Sequence, residues 1–112
     1  MKRIEAIIRP EKAGSVINAL DAIGHPGIMI SEIEGHGKQH GIEESVRGKK
    51  YTIDLITKTR IEVIVKDSDV KKITGAIREA AVTGEIGDGK IFVHPVDDAI
   101  RVRTNEKGDE AV

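Results

Sequence analysis

Twice along this chain the apolar residues switch from a two-residue period to a 3.6-residue period and back, in 1–36 and again in 59–95. An alternating strand has one face to bury, and a helix with an apolar stripe is the natural cover for it. Residues 2–9 (KRIEAIIR) put Ile4, Ala6 and Ile8 on one side and Glu5, Ile7 and Arg9 on the other. Pro10 opens a helix, where its missing N–H does no harm. Ala13, Val16, Leu20 and Ile23 make the helix stripe, and Gly24 with Pro26 ends it. Residues 28–36 (IMISEIEGH) form a second strand. The second round has a strand at 59–66 (TRIEVIVK) with Ile61, Val63 and Val65 on one face. A helix capped by Asp67 or Ser68 follows, with Val70, Ile73, Ile77 and Ala80 as its stripe, and then a strand at 90–94.

Strand–helix–strand, repeated, predicts an α+β, ferredoxin-like βαββαβ sandwich: an antiparallel sheet with both helices on one face. The 112 residues suit a single domain. Only 2% are aromatic, so the core is built from Ile, Val, Leu and Ala, and so small a core favours self-association. Eighteen basic and 19 acidic residues leave a net charge of −1, with no overall pull toward nucleic acid or membrane. The absence of cysteine excludes a disulfide framework and a thiolate metal site. No apolar run approaches membrane-spanning length, and the first residues do not form a signal peptide, which predicts a soluble, cytoplasmic protein.

Two segments fall outside the repeat. Residues 37–56 separate the second and third strands, long for a loop in a compact domain. A mobile recognition arm is the favoured expectation, because Ser45-Val46-Arg47-Gly48 has little to pack with; a plain β-hairpin extension is the alternative. In 99–112, AIRVRT alternates, with Arg101 and Arg103 on one face, and NEKGDEAV is polar and expected to fray.

The chemistry concentrates in TGEIGDGKIFV, residues 83–93. Gly84, Gly87 and Gly89 precede Lys90 and a strand, the composition of either a turn or a loop whose N–H groups cradle phosphate. The spacing is not that of a Walker loop, which leads into a helix. Arg101 and Arg103 suit a solvated edge strand or a phosphate shared between guanidinium forks. Gly35-His36-Gly37-Lys38-Gln39 is a second glycine cluster, either a bulge or a place where a ligand nears the backbone. His25, His36, His40 and His94 lack metal-ligand spacing, and no Ser-His-Asp order or nucleophile elbow stands out. Tyr51 and Phe92 are too few for the base-stacking surface of an RNA-binding domain of this shape.

TGEIGDGKIFV followed by PVDDAIRVRT resembles the C-terminal motif of the PII signal-transduction proteins, the GlnB/GlnK-like nitrogen regulators. MKRIEAIIRPEK, EGHGKQHG and RGKKYTIDLITKTRIEVIV extend the resemblance over nearly the whole chain. It implies one PII-type domain over 1–112, with a T-loop at about 37–55, a B-loop at about 82–90 and a C-terminal segment at about 96–112. It implies a homotrimer with nucleotide sites between neighbours, binding ATP or ADP and, with Mg-ATP, 2-oxoglutarate. By this likeness the nucleotide-binding residues are Ile7, Met29, Gly35, Gly37, Lys38, Gln39, Ile64, Gly87, Asp88, Gly89 and Lys90, with Arg101 and Arg103 from the adjacent subunit. Gln39 is assigned to Mg²⁺, and Arg9, Gln39 and Lys58 to 2-oxoglutarate. Arg47 is assigned to partner contact and Tyr51 to modification by uridylylation. The implied partners are an ammonium transporter or an enzyme or regulator of nitrogen metabolism, with membrane contact only through a docked transporter and no direct nucleic acid.

Departures from the family pattern bear on these assignments. Met29 stands where many relatives have threonine, which removes a polar contact near the nucleotide. Lys38 replaces a common arginine and loses the bidentate fork. Lys49 replaces the serine phosphorylated in cyanobacterial relatives. The leading expectation is a non-enzymatic sensor. The alternatives are a divergent adenine-nucleotide switch without 2-oxoglutarate sensing, and a slow ATPase in which Lys90, Arg101 and Arg103 stabilise phosphoryl charge.

Overall fold

The computed structural model describes residues 1–25, 27–36, 42–46, 49–53 and 55–112, and for 35–36, 42–46, 49–53 and 55 the backbone only. The expected repeat is present. Strand β1 (Lys2–Ile8) leads through a 3-10 turn (Pro10–Lys12) into helix α1 (Ala13–Ala22) and strand β2 (Ile28–His36). Strands β3 (Ile42–Val46) and β4 (Lys49–Ile53) follow, then β5 (Leu55–Val65), a 3-10 turn (Asp67–Asp69), helix α2 (Val70–Ala81) and β6 (Gly89–Pro95). The main sheet has the order β2-β5-β1-β6, and every neighbouring pair is antiparallel.

The core lies where the two periods predict it, except that Ala81 rather than Ala80 is the buried residue at the end of α2. Ile4, Ala6 and Ile8 of β1 and Ile61, Val63 and Val65 of β5 are buried against Val16 and Leu20 of α1 and Ile73, Ile77 and Ala81 of α2. Ala13, Ile23, Val70 and Ala80 pack on its margin. Fully burying such an aliphatic side chain contributes roughly 1.5–3 kcal/mol. Helix α1 ends as its glycine requires: Gly24, at φ 81°, donates to the Asp21 carbonyl at 3.0 Å while His25 N–H donates to the Leu20 carbonyl at 3.0 Å. That pair of bonds is the Schellman stop.

Three expectations are corrected. Strand β5 begins at Leu55 rather than 59, because β2 runs to His36 and the two strands stay in register from Ile28↔Val63 to His36↔Leu55. Between them, β3 and β4 form their own antiparallel ladder, Ile42↔Ile53 to Val46↔Lys49, a pairing compatible with either expectation for 37–56. Neither Asp67 nor Ser68 caps α2 through its side chain: 67–69 is a 3-10 turn, and Asp67 instead accepts from the Met1 amine at 2.6 Å. Finally, 99–112 is neither an alternating strand nor frayed. A single bridge joins Ile100 to Lys107, residues 102–104 turn, and Gly108–Ala111 close a 3-10 turn.

Candidate functional site

The glycine loop is organised by its own acid. After Ala81, Val82 takes an extended conformation (φ −68°, ψ 134°) and the chain leaves the helix. The Asp88 carboxylate then accepts from the backbone N–H groups of Thr83 and Gly84, both at 2.9 Å, and from the Thr83 hydroxyl. Those bonds hold the Asp88 pKa well below the ordinary carboxylate value, the Thr83 hydroxyl contributing most. Gly84, Gly87 and Gly89 have φ of 88°, 105° and 94°, a region that L side chains adopt only under strain.

Two cations from the neighbouring strands close on this loop. Arg9, just past β1, donates from Nε to Asp88 Oδ1 at 3.1 Å and from Nη2 to the Ile86 carbonyl at 2.8 Å. Lys58 of β5 donates to the Gly87 carbonyl. Its pKa is lowered, chiefly because burial strips water from the ammonium and secondly because Arg9 lies close. The register explains the meeting: Ile8 pairs with both Thr59 and Gly89, so Arg9, Lys58 and the start of β6 share one end of the sheet. Gly35, paired with Ile56, lies at that same end. Beside the loop is a cleft of about 270 Å³ whose lining includes Ile8, Arg78, Ala81, Val82 and Ile91. Two concentrated cations on backbone carbonyls, with glycine N–H groups beside them, are chemically suited to anions.

The described residues place part of the expected nucleotide set together. Ile7 pairs with Lys90, and Gly87, Asp88 and Gly89 are adjacent to it. Ile64 and Met29 are at the far end of the sheet, opposite Arg3 and Glu62. Six strand residues, roughly 20 Å, separate Ile64 from Lys58. Arg101 is likewise engaged elsewhere, with Glu106 at 2.9 Å and the Glu110 carbonyl at 3.2 Å, and Arg103 is exposed. Gly37, Lys38, Gln39 and Arg47 lie outside the described residues, and Tyr51 is described only as backbone of β4.

A family model for nitrogen regulatory protein P-II matches residues 1–106. The chain belongs to the P-II family. It is 53% identical over its full length to nitrogen regulatory protein P-II 2 of Methanothermobacter thermautotrophicus, covering 97% of that protein. It is 49% identical to nitrogen regulatory protein P-II of Azospirillum brasilense, with both chains covered completely. Its structure is similar to the crystal structure of Arabidopsis thaliana PII bound to citrate, with a TM-score of 0.81 and 40% identity over 99% of this chain and 91% of that one.

Two residues that order the glycine loop and the C-terminal segment had no assigned role in the sequence analysis. Thr83 supplies two of the bonds that shape the loop, and its signal was present: a threonine before glycine with an aspartate five residues on is turn chemistry. Glu106, which holds Arg101, left no local signal, because the turn that brings it back depends on the backbone of Asn105.

Proposed function

We propose that this P-II protein is a non-enzymatic, cytoplasmic sensor that binds ATP or ADP and, with Mg-ATP, 2-oxoglutarate. It regulates an ammonium transporter or nitrogen-metabolism proteins through residues 37–55. The observation that carries this reading is the convergence of Arg9 and Lys58 on the carbonyls of the 83–89 loop. The loop's acid is occupied internally, so phosphate meets glycine N–H groups and Lys90 rather than a free carboxylate. Lys58 and Arg9 are then positioned for a carboxylate at the loop's edge. The citrate named with the Arabidopsis relative supports a polycarboxylate in this family. Gln39 is the residue assigned to Mg²⁺, which would supply a hard, oxygen-seeking positive charge beside the phosphates.

A homotrimer suits the distribution of apolar surface. Ile30 on β2 and Val93 on β6 are 52% and 46% exposed and lie on opposite edges of the sheet. An edge meeting the other edge of the next copy is a head-to-tail contact, which closes into a three-membered ring when each copy is rotated by a third of a turn. It would also bring the Met29 and Ile64 end of one subunit, with Arg101 and Arg103, toward the glycine loop of another.

Calorimetric titration of 2-oxoglutarate tests the reading, run with Mg-ATP and separately with ADP. Binding is expected only with Mg-ATP, and Lys58→Ala abolishes it. Equal binding in both nucleotides, or in neither, counts against the sensor mechanism.

A further inference from the structure

Glu106 closes a compact set of bonds in the C-terminal segment. Its Oε1 accepts from Arg101 Nη1 at 2.9 Å and from the Thr104 hydroxyl at 2.7 Å. Its carbonyl accepts from the Arg101 backbone N–H at 2.8 Å, and its own N–H donates to Thr104 Oγ1 at 3.3 Å. The Arg101 carbonyl in turn accepts from Asn105 N–H at 2.7 Å, with Asn105 at φ 61°. A side-chain-bearing residue keeps that conformation where the surrounding bonds over-determine it. Arg101 has a second anchor, Nη2 to the Glu110 carbonyl at 3.2 Å, inside the 3-10 turn Gly108–Ala111. That turn is fastened by Gly108 N–H, which donates to the Ala99 carbonyl at 3.0 Å and to Asp98 Oδ1 at 3.1 Å. Arg103 is exposed and has no carboxylate partner among the described residues. Of two arginines two positions apart, one is held and one is not.

We propose that Glu106 is a positioning residue for Arg101. It fixes the guanidinium, before any ligand arrives, in the orientation from which its remaining N–H donors meet the phosphates of a nucleoside di- or triphosphate. The proposal rests on the nucleotide-binding reading above. An arginine fork left free must lose rotamer freedom when it grips phosphate, and one already anchored at two points loses much less. Glu106 is also an anion near the phosphate, which opposes binding. That opposition is small: the Arg101 and Glu106 side chains are 40% and 39% exposed, so water and salt screen it. Screening leaves the ordering advantage untouched, and positioning wins. Because Arg101 also binds Glu110, a ligand on the guanidinium steadies residues 108–111 as well.

The test is calorimetric binding of ATP, ADP and adenosine to the full-length protein and to Glu106→Gln, which keeps the size of the side chain and an oxygen for Thr104. ATP and ADP affinities are expected to fall about fivefold, and adenosine binding to stay the same. Thr104→Val, which removes the hydroxyl steadying Glu106, shifts ATP in the same direction by less. In an Arg101→Ala background, Glu106→Gln adds nothing, since the two act as one unit. Unchanged or tighter ATP binding in Glu106→Gln overturns the proposal, as does an equal loss for adenosine, which reports damage to the fold. If the unaltered protein binds neither ATP nor ADP, the nucleotide reading itself falls and takes this one with it.

Discussion

A β-carbon on Gly89 would lie 1.7 Å from the carbonyl oxygen of Ile7 and 2.8 Å from its carbonyl carbon. The first residue of β6 therefore owes its identity to the close approach of β1, quite apart from any ligand. Its φ of 94° adds a second reason. Gly89→Ala combines a backbone clash with left-handed strain and is expected to lose about 3 kcal/mol or more. Gly84 has φ 88° but open space around its missing side chain, so Gly84→Ala costs only about 1–2 kcal/mol. Urea midpoints of the two variants check this. Equal midpoints would mean that β6 backs away from β1 without penalty.

The β1 and β5 faces and both helix stripes were readable because burial imposes a period, and a period survives in one dimension. Ile4, Ala6, Ile8, Ile61, Val63 and Val65 followed from it directly. What the period does not carry is any bond between distant positions. Arg9 and Asp88 are 79 residues apart, and nothing local in either suggests the other. AIRVRT failed for a different reason. Its alternation is real, but Asn105 N–H turns back to the Arg101 carbonyl and ends the extended chain before it becomes a strand. Likewise DSD at 67–69 has capping composition, yet the Met1 amine claims Asp67. The family resemblance supplied candidate residues for the site, while the internal use of Asp88 by Thr83 and Gly84 needed coordinates.

The core sets the largest penalties. Leu20 of α1 and Ile77 of α2 are fully buried. Leu20→Ala or Ile77→Ala is expected to lose about 2–5 kcal/mol, the cost of lost transfer plus a cavity. Ile86, 69% exposed in the glycine loop, gives a control: Ile86→Ala stays within about 0.5 kcal/mol. Guanidinium unfolding of the three variants decides, and a core variant as stable as Ile86→Ala would place that side chain outside the core.

Asp88 makes stability depend on pH in a defined direction. Its folded pKa is depressed from the ordinary 3.8, so the unfolded chain takes up its proton first as pH falls. The stabilisation is complete above the unfolded value and drains away as pH drops through the folded one. Asp88→Asn is therefore less stable than the unaltered protein by a constant amount from about pH 7 to pH 5, and the gap narrows below about pH 4. Unfolding curves collected across that range would show it. A gap that widens on acidification would contradict the bonds from Thr83 and Gly84.

Lys58 titrates in the opposite part of the scale. Its pKa is below the ordinary 10.5, first through burial and then through Arg9, while Glu11 and Asp88 act the other way. Between the folded and unfolded values the unfolded chain holds more protons, so stability rises with pH there, and the cost of keeping the ammonium charged disappears above the unfolded value. Ligand binding runs in the reverse sense. A dicarboxylate held by the ammonium binds with constant affinity below the lowered pKa and progressively less tightly above it, so its affinity begins to fall before pH 10.5. Lys58→Arg keeps its charge throughout that range and removes the fall, whatever it does to affinity at neutral pH. Titrations of 2-oxoglutarate in Mg-ATP from about pH 7 upward separate the cases. If the unaltered protein and Lys58→Arg lose affinity in parallel, the titrating group lies elsewhere, and Lys58 serves only to hold the Gly87 carbonyl.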